Sequence, residues 1–167
     1  MKLLGIESSC DETAAAVIEA SPSDKTVKLL SNILTASLKL HAKTGGIIPE
    51  QAAREQIKHI LPIIDRALKE AKVTMLDIDA IAVTYGPGLI GSLLVGVETA
   101  KTLATIYKKP LIPINHLLGH IYANFITSNN PSNIEFPLVG LVVSGGHTDL
   151  LLLKILQHRH KKYYRQH

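Results

Sequence analysis

The chain has 167 residues, 46% hydrophobic and 19% charged, so it can bury one domain-sized core, and a disordered chain is excluded. Aromatic residues make up only 4% and Trp is absent, which argues against an aromatic platform for single-stranded nucleic acid. The net charge of +4 belongs to the C-terminal end, because residues 154–167 hold five of the 18 Lys and Arg residues and no Asp or Glu. Global charge therefore does not indicate what the folded body binds.

The chain shows no feature of an exported or membrane protein. Cys10 is the single cysteine, which excludes an intrachain disulfide and fits a reducing compartment. No apolar run reaches transmembrane length, and acidic residues follow the first apolar stretch where a signal peptide would continue its core. We therefore expect a cytoplasmic protein that does not enter a membrane.

The N-terminal third predicts three strands. Residues 2–6 and 13–19 are apolar segments on either side of the polar stretch ESSCDET, and residues 27–38 form a third such segment. Because a short polar turn joins the first two, they are expected to form a hairpin.

Helices and further strands alternate from residue 49 onward. Residues 49–72 carry apolar side chains at steps of three and four, which predicts a helix that Pro62 should kink or divide. The apolar positions of this helix are Ala53, Ile57, Ile60, Leu61, Ile64, Ala67, Leu68 and Ala71. The later strands are predicted at residues 78–85, 111–115, 136–143 and 148–153, and the later helices at residues 89–107 and 116–126. This order predicts an α/β domain with a mixed sheet flanked by helices, and a boundary in the linker 128–133.

His116 and His120 stand four residues apart in the third predicted helix. Positions i and i+4 share a helix face, so both imidazoles can reach one metal ion. The pattern alone is weak evidence for a metal site, since two histidines are fewer protein ligands than a catalytic zinc or iron site usually has. It is not the metalloprotease pattern HExxH, because Leu117 occupies the position of the glutamate.

Two glycine-rich turns are candidate anion sites. In SGGHT, Ser144, Gly145 and Gly146 can present successive N–H groups to a phosphate, although Gly-Gly also makes plain hairpin turns. GPGLIGS, at residues 86–92, follows a strand and begins a helix, a favoured place for ligands in α/β sheets. It lacks the Lys of a Walker loop.

ESSCDET gathers the three carboxylates Glu7, Asp11 and Glu12 within six residues. Such a turn can hold a cation or supply a general base, or it can be merely a solvated acidic turn. Cys10 is interpreted as a packing residue, because no histidine lies near it in sequence.

Taken together, five segments resemble the tRNA threonylcarbamoyladenosine transferase family, formerly described as glycoprotein endopeptidases. The segments are GIESSCDET at 5–13, HAKTGGIIPE at 41–50, IDAIAVTYGPGLIGSLLVG at 78–96, NHLLGHIYA at 115–123 and VVSGGHTDL at 142–150. The resemblance implies the fold of actin, sugar kinases and heat-shock ATPases, with two lobes around a nucleotide. It places the first lobe at residues 1–133 and the opening hairpin of the second lobe at 134–154, and leaves 155–167 as a basic tail outside the family pattern.

The resemblance also implies an activity and a set of site residues. The family transfers a threonylcarbamoyl group from threonylcarbamoyl-adenylate to the adenosine beside the anticodon of tRNAs that read ANN codons. His116 and His120 are then ligands of one iron or zinc ion, Glu12 has an acid–base or positioning role, and Asp11 supports its turn. The substrate nucleotide is bound by Val142, Val143, Ser144, Gly145 and Gly146. The expected partners are tRNA, a paralogous non-catalytic subunit and an ATPase subunit.

This chain departs from the family in two places. Gln56 stands where the family usually has histidine, which puts one peripheral contact in doubt. The family's third metal ligand, an aspartate in the second lobe, lies beyond the last residue here. We therefore expect a chain shortened after the first lobe, by a reading-frame shift or as a genuine product, and inactive alone. The alternatives are a non-catalytic binding module of the same complex and, last, a metallopeptidase.

Overall fold

The computed structural model describes residues 1–21, 26–36, 46–126, 136–143 and 148–154. Within these residues, five strands form one sheet in the order β3-β2-β1-β4-β5, and β6 pairs with β7 in a second sheet. The strands are β1 Lys2–Glu7, β2 Glu12–Ser21, β3 Thr26–Ala36, β4 Ala80–Gly86, β5 Leu111–Asn115, β6 Leu138–Val143 and β7 Thr148–Leu153. The helices are α1 Pro49–Glu70, α2 Ile90–Tyr107 and α3 His116–Ala123, with a short 3-10 helix at Met75–Asp77.

The five-stranded sheet combines an antiparallel half with a parallel half. β2 pairs antiparallel with both β1 and β3, and the β1–β2 pair is the hairpin predicted around ESSCDET. β4 and β5 run parallel to β1, because a helical crossover precedes each of them. Alternate residues of β1 and β2 are buried, among them Leu4, Ile6, Ala15 and Val17, so one face of each strand forms the core.

Helices α1 and α2 pack against each other and against the sheet. The buried stripe of α1 consists of Ala52, Gln56, Ile60, Ile63, Ile64 and Ala67. It differs from the predicted stripe, because Ile57 and Leu61 are 63% and 58% exposed. The prediction was wrong at these two positions because hydrophobicity alone placed the stripe, whereas a polar side chain, Gln56, occupies the buried face.

Helix α1 continues through Pro62 without division. Pro62 has no backbone N–H, so the carbonyl of Lys58 loses its helical hydrogen bond. Both residues lie on the exposed side of the helix, where water can donate to that carbonyl instead. The buried residues Ile60, Ile63 and Ile64 hold the helix against the sheet on both sides of the proline. Of the two predicted effects, a kink or a division, the division does not occur, because tertiary packing outweighs the local loss.

β6 and β7 form the antiparallel hairpin predicted near the C-terminal end. Gly140 lies against Ile121 of α3, where a Cβ would meet the Ile121 side chain at 3.4 Å. The predicted breaker at 41–46, except for Gly46, the linker 128–133 and the turn 144–147 fall outside the described residues. In the part of the chain that the structure describes, no helix has the length and apolarity needed to cross a membrane.

The burial of α1 predicts different costs for two isoleucines on the same helix. Ile60→Ala should lower the free energy of unfolding by about 2–5 kcal/mol, because Ile60 is 3% exposed and its removal leaves a cavity. Ile57→Ala should change it by less than about 0.5 kcal/mol. Urea denaturation measures both, and equal losses would contradict this placement of α1.

Candidate functional site at the carboxyl ends of the parallel strands

Three parallel strands end at one edge of the sheet and bring their last residues together. The register pairs Ile6 of β1 with Val83 of β4. Glu7 and Thr84, the next residue of each strand, are joined by a hydrogen bond from Thr84 Oγ1 to Glu7 Oε2. β5 ends at Asn115, whose side chain accepts hydrogen bonds from the first amides of α3 and so fixes where His116 begins the helix. Ligand sites in α/β sheets commonly form at this edge.

Gln56 of α1 holds the polar turn between β1 and β2 through side-chain hydrogen bonds. The side-chain amide of Gln56 is fully buried and donates to the carbonyls of Cys10 at 2.9 Å, Glu12 at 3.0 Å and Ser8 at 3.5 Å. The expectation that this position makes a peripheral contact is therefore wrong. Gln56 ties the turn that carries Asp11 and Glu12 to the helix.

Helix α2 holds the same turn from the side. Ser92 Oγ donates to the carbonyl of Cys10, and Ser8 Oγ donates to the carbonyl of Ser92 at 2.7 Å. The amide of Gly96 donates to Ser8 Oγ at 3.1 Å, and a Cβ at Gly96 would overlap that oxygen. The small residues of α2 thus allow the turn and the helix to approach closely.

The glycine-rich segment before α2 also contacts the turn. The amide of Leu89 donates to the carbonyl of Ser9 at 2.7 Å, and a Cβ at Gly88 would overlap that carbonyl. The N-terminus of α2 therefore binds a backbone carbonyl of the turn.

His116 and His120 direct their Nε2 atoms toward each other. The two atoms are 3.1 Å apart, and the rings meet edge to face with centroids at 4.5 Å. The other nitrogen of His116, Nδ1, lies 3.1 Å from Ser9 Oγ and 3.5 Å from Glu7 Oε2. His120 is exposed, whereas the side chain of His116 is 23% exposed.

Glu7 is a carboxylate at neutral pH. Burial raises the pKa of Glu7, but hydrogen bonds from His116, Ser9 and Thr84 outweigh burial and lower that pKa from 4.5 to about 2. The amide of Ser9 donates to Glu7 Oε1 at 2.5 Å, and the hydroxyl of Thr84 donates to Oε2. The site therefore contains a fixed negative charge behind His116.

Asp11 and Glu12 lie on the same turn but do not join the histidines. Asp11 is half-buried and Glu12 is exposed, and among the described residues neither carboxylate hydrogen-bonds to His116 or His120. Burial, with Asp11 and Glu12 nearby, raises the pKa of the Cys10 thiol. Cys10 is therefore a poor nucleophile, in agreement with its interpretation as a packing residue.

A cavity of about 470 Å³ opens beside the histidines, between α3 and β6. His120 of α3 and Asn124, the residue after α3, line it on one side, and Val142 and Val143 of β6 line it on the other. The structure thus brings the predicted metal ligand His120 together with two of the five predicted nucleotide-binding residues. Ser144, Gly145 and Gly146 lie outside the described residues.

The histidine pair fits two positions of a metal site. Imidazole nitrogens bind iron and zinc, and the two facing Nε2 atoms are close enough to share one ion. Within the described ranges, no third Asp, Glu, Cys or His completes a cluster with them.

Glu7 and Gln56 are the residues whose roles the sequence analysis missed. A signal for Glu7 existed, because it directly follows the predicted strand 2–6, and His116 directly follows the predicted strand 111–115. No local signal marks Gln56, since its carbonyl partners lie 44 to 48 residues away in sequence.

The fold and the site together define a protein of the actin-like ATPase fold with a candidate site at the carboxyl edge of its parallel strands. Solved structures with this fold include YeaZ from Pseudomonas aeruginosa, which aligns with a TM-score of 0.56 and 17% identity over 94% of this chain and 63% of that one. A Ppx/GppA family member from Aquifex aeolicus aligns with a TM-score of 0.54 and 16% identity over 99% of this chain and 51% of that one. These likenesses confirm the predicted fold.

The chain belongs to the tRNA N6-adenosine threonylcarbamoyltransferase family, whose model matches residues 28–163. It is similar to the enzyme of that name from Persephonella marina, with 53% identity over 92% of this chain. The one from Symbiobacterium thermophilum is 55% identical over 90% of this chain. The chain spans 42% of the length of each of these relatives.

The contacts of Gln56 predict that its amide stabilises the turn. Gln56→Leu should lower the free energy of unfolding by about 1–3 kcal/mol, because it leaves buried carbonyls without their donor. Gln56→His should lower the free energy of unfolding by less, because histidine can donate one N–H. Gln51→Leu, on the exposed side of α1, should leave the free energy of unfolding nearly unchanged. Urea denaturation of the three variants measures these differences, and equal stability of Gln56→Leu and Gln51→Leu would contradict the role of Gln56.

Proposed function

We propose that this chain is the first-lobe portion of an enzyme that transfers a threonylcarbamoyl group to N6 of an adenosine in tRNA. The donor is threonylcarbamoyl-adenylate, and the acceptor is the adenosine beside the anticodon in tRNAs that read ANN codons. N6 attacks the carbamoyl carbonyl, the bond to the adenylate phosphate breaks, and AMP leaves. Membership of the family supports this reaction. We propose a cytoplasmic location on the same basis.

The observation that carries the proposal is that His120, which faces His116 through Nε2, lines the same cavity as Val142 and Val143. Apolar walls suit the adenine and ribose of an adenylate. Ser144, Gly145 and Gly146, which follow β6 in sequence, are proposed to bind its phosphate through backbone N–H groups. The histidines would then lie near the scissile carbonyl.

We propose that the two histidines bind one divalent metal ion, iron or zinc. When bound, such an ion supplies Lewis-acid polarisation of the carbonyl under attack. The residues of this chain orient the reactants: the valines position the adenylate, and Glu7 and Ser9 fix His116.

Glu12 and Asp11 are proposed to act on the acceptor. Glu12 is exposed at the beginning of β2, so its carboxylate can reach a bound macromolecule and take the proton that N6 loses. Asp11 is half-buried on the same turn and is proposed to support it. Gln56 and Ser92 hold the backbone beneath both residues.

This portion alone is proposed to bind metal weakly and to show no transfer activity. Two imidazoles leave most coordination positions to exchangeable solvent, and the chain spans 42% of the length of its Persephonella marina relative. Turnover of threonylcarbamoyl-adenylate on tRNA by the 167-residue chain would contradict this point. A metallopeptidase is disfavoured, because Leu117 stands where HExxH proteases have their base.

Removal of either histidine should weaken metal binding by more than about tenfold, because each supplies one of two protein ligands. Zn²⁺ and Co²⁺ titrations of the wild-type chain, His116→Ala and His120→Ala measure this by calorimetry. His59→Ala is the matched control, since His59 is a partly exposed histidine of α1. Equal loss in the control would show adventitious binding to surface imidazoles.

Activity is tested in a chimera that joins residues 1–154 of this chain to the remaining part of the Persephonella marina relative. The chimera should modify tRNA from threonylcarbamoyl-adenylate, whereas chimeras with His116→Ala or Glu12→Gln should lose at least about tenfold in rate. A folded chimera without activity would contradict the proposed function.

Exposed apolar residues on α1 favour a second candidate function, that of a partner-binding module in the same tRNA-modification complex. Ile57 and Leu61 lie one turn apart, share a face and are both more than half exposed. Apolar side chains paired in this way mark protein-binding surfaces more often than single ones do. The proposed partner is a paralogous non-catalytic subunit with the same fold, and an ATPase subunit is proposed to join them.

A charge on this face should weaken binding of the paralogous subunit. Leu61→Glu should raise the dissociation constant by more than about tenfold, because a buried unpaired carboxylate opposes association. Leu76→Glu is the control, since Leu76 is an exposed apolar residue on the 3-10 helix. Analytical ultracentrifugation of the mixture measures both. Unchanged association of Leu61→Glu would exclude this face as the contact surface.

A further inference from the structure

The two ring nitrogens of His116 face different surroundings. Nε2 faces His120 Nε2 at 3.1 Å, the direction from which a metal would be bound. Nδ1 faces the end of β1, with Ser9 Oγ at 3.1 Å and Glu7 Oε2 at 3.5 Å. A neutral imidazole carries a proton on only one nitrogen, so these surroundings decide which nitrogen is free to bind a metal.

The carboxylate of Glu7 is fixed independently of His116. The amide of Ser9 donates to Oε1, and the hydroxyl of Thr84 donates to Oε2. An ionised carboxylate only accepts hydrogen bonds, so a neighbouring ring nitrogen is favoured there only if it carries a proton. The separation of 3.5 Å from Nδ1 to Oε2 is long for a hydrogen bond, so Glu7 acts on Nδ1 mainly through its negative charge.

The hydroxyl of Ser9 is compatible with either tautomer, because it can donate to Nδ1 or accept from it. If Ser9 Oγ donated, His116 would carry its proton on Nε2 and would present no lone pair to a metal. The carboxylate behind Nδ1 opposes that arrangement. The choice between the tautomers therefore depends on Glu7.

We propose that Glu7 is a positioning residue that holds His116 in the tautomer protonated at Nδ1, so that the Nε2 lone pair faces His120. Ser9 Oγ then accepts from Nδ1, and His120 donates its Nε2 proton to His116 Nε2. To bind a metal through Nε2 as well, His120 would take the other neutral tautomer, with its proton on Nδ1. In metalloproteins, a carboxylate behind a histidine ligand commonly fixes its orientation in this way. The inference rests on the proposed metal-binding role of the pair, but the tautomer exists without the metal.

The substitution Glu7→Gln should reverse the tautomer. Glutamine keeps the shape of the side chain and an oxygen that can accept from Ser9 or Thr84, but it removes the charge and introduces an N–H donor. That donor favours a lone pair on Nδ1 and so a proton on Nε2. A group that acted only through packing would leave the tautomer unchanged in this isosteric variant.

Nuclear magnetic resonance of the ¹⁵N-labelled chain, at a pH where its imidazoles are neutral, tests the proposal without metal. Two-bond ¹H–¹⁵N correlations identify the protonated nitrogen of each ring. We expect His116 protonated at Nδ1 in the wild-type chain and in Glu19→Gln, and at Nε2 in Glu7→Gln. Glu19 is the control because it is a carboxylate of the neighbouring strand, paired with Lys2. His59 serves as an internal reference.

Zn²⁺ titration is the second readout. Glu7→Gln should weaken Zn²⁺ binding by about 10–100-fold, as loss of a carboxylate behind a ligand typically does, and Glu19→Gln should not. A wild-type His116 that is protonated at Nε2 in the NMR spectrum would overturn the proposal. This result comes from the wild-type chain and does not depend on whether a variant folds. An unchanged tautomer in folded Glu7→Gln would overturn it as well. The predicted tautomers without Zn²⁺ binding would support the role of Glu7 and contradict the proposed metal site.

Discussion

The turn between β1 and β2 is the constraint on which the rest of the site depends. One end of the turn is acidic, with Asp11 and Glu12, and the other end is buried, with Ser8 and Ser9. Groups of α1, α2 and α3 hydrogen-bond to the turn, and groups of β4 and α3 hydrogen-bond to Glu7, which precedes it. Ser8 and Ser9 are buried, so the backbone polar groups at this end of the turn need partners from the protein. Gln56 and Ser92 supply them, and the position of the turn thereby becomes fixed relative to both helices.

A turn held in this way connects the core to the chemistry. Glu7 ends a strand whose residues Leu4 and Ile6 belong to the hydrophobic core, so its carboxylate is anchored by the sheet itself. His116 begins a helix directly after β5, and its first amides are capped by Asn115. Groups on strand ends and helix starts are held more precisely than groups on long loops. The strand end and the helix start therefore fix the position of His116, and His120, on the same helix, lines the cavity.

Local patterns predicted the elements well, and resemblance predicted the fold, because alternating and three- to four-residue periodicities reflect burial directly. They failed where a polar group occupies a core position. Gln56 is fully buried, and a hydrophobic stripe drawn without it placed Ile57 and Leu61 on the wrong face. The partner of Glu7 was missed for a related reason: His116 lies 109 residues away, and only the parallel pairing of β1, β4 and β5 brings the two together. Pro62 shows the converse, since packing maintained a helix that local rules would divide.

The central claim is that His116 and His120 form the protein half of a metal site beside the cavity. Crystals of the chain soaked with Co²⁺ or Zn²⁺ and measured at the metal absorption edge test it most directly. The account predicts an anomalous peak about 2.0–2.1 Å from both Nε2 atoms, with the remaining positions filled by solvent. The account would be contradicted by an ordered, hydrogen-bonded histidine pair with no peak between its Nε2 atoms. The metal concentration in the soak must be well above that used in the titrations.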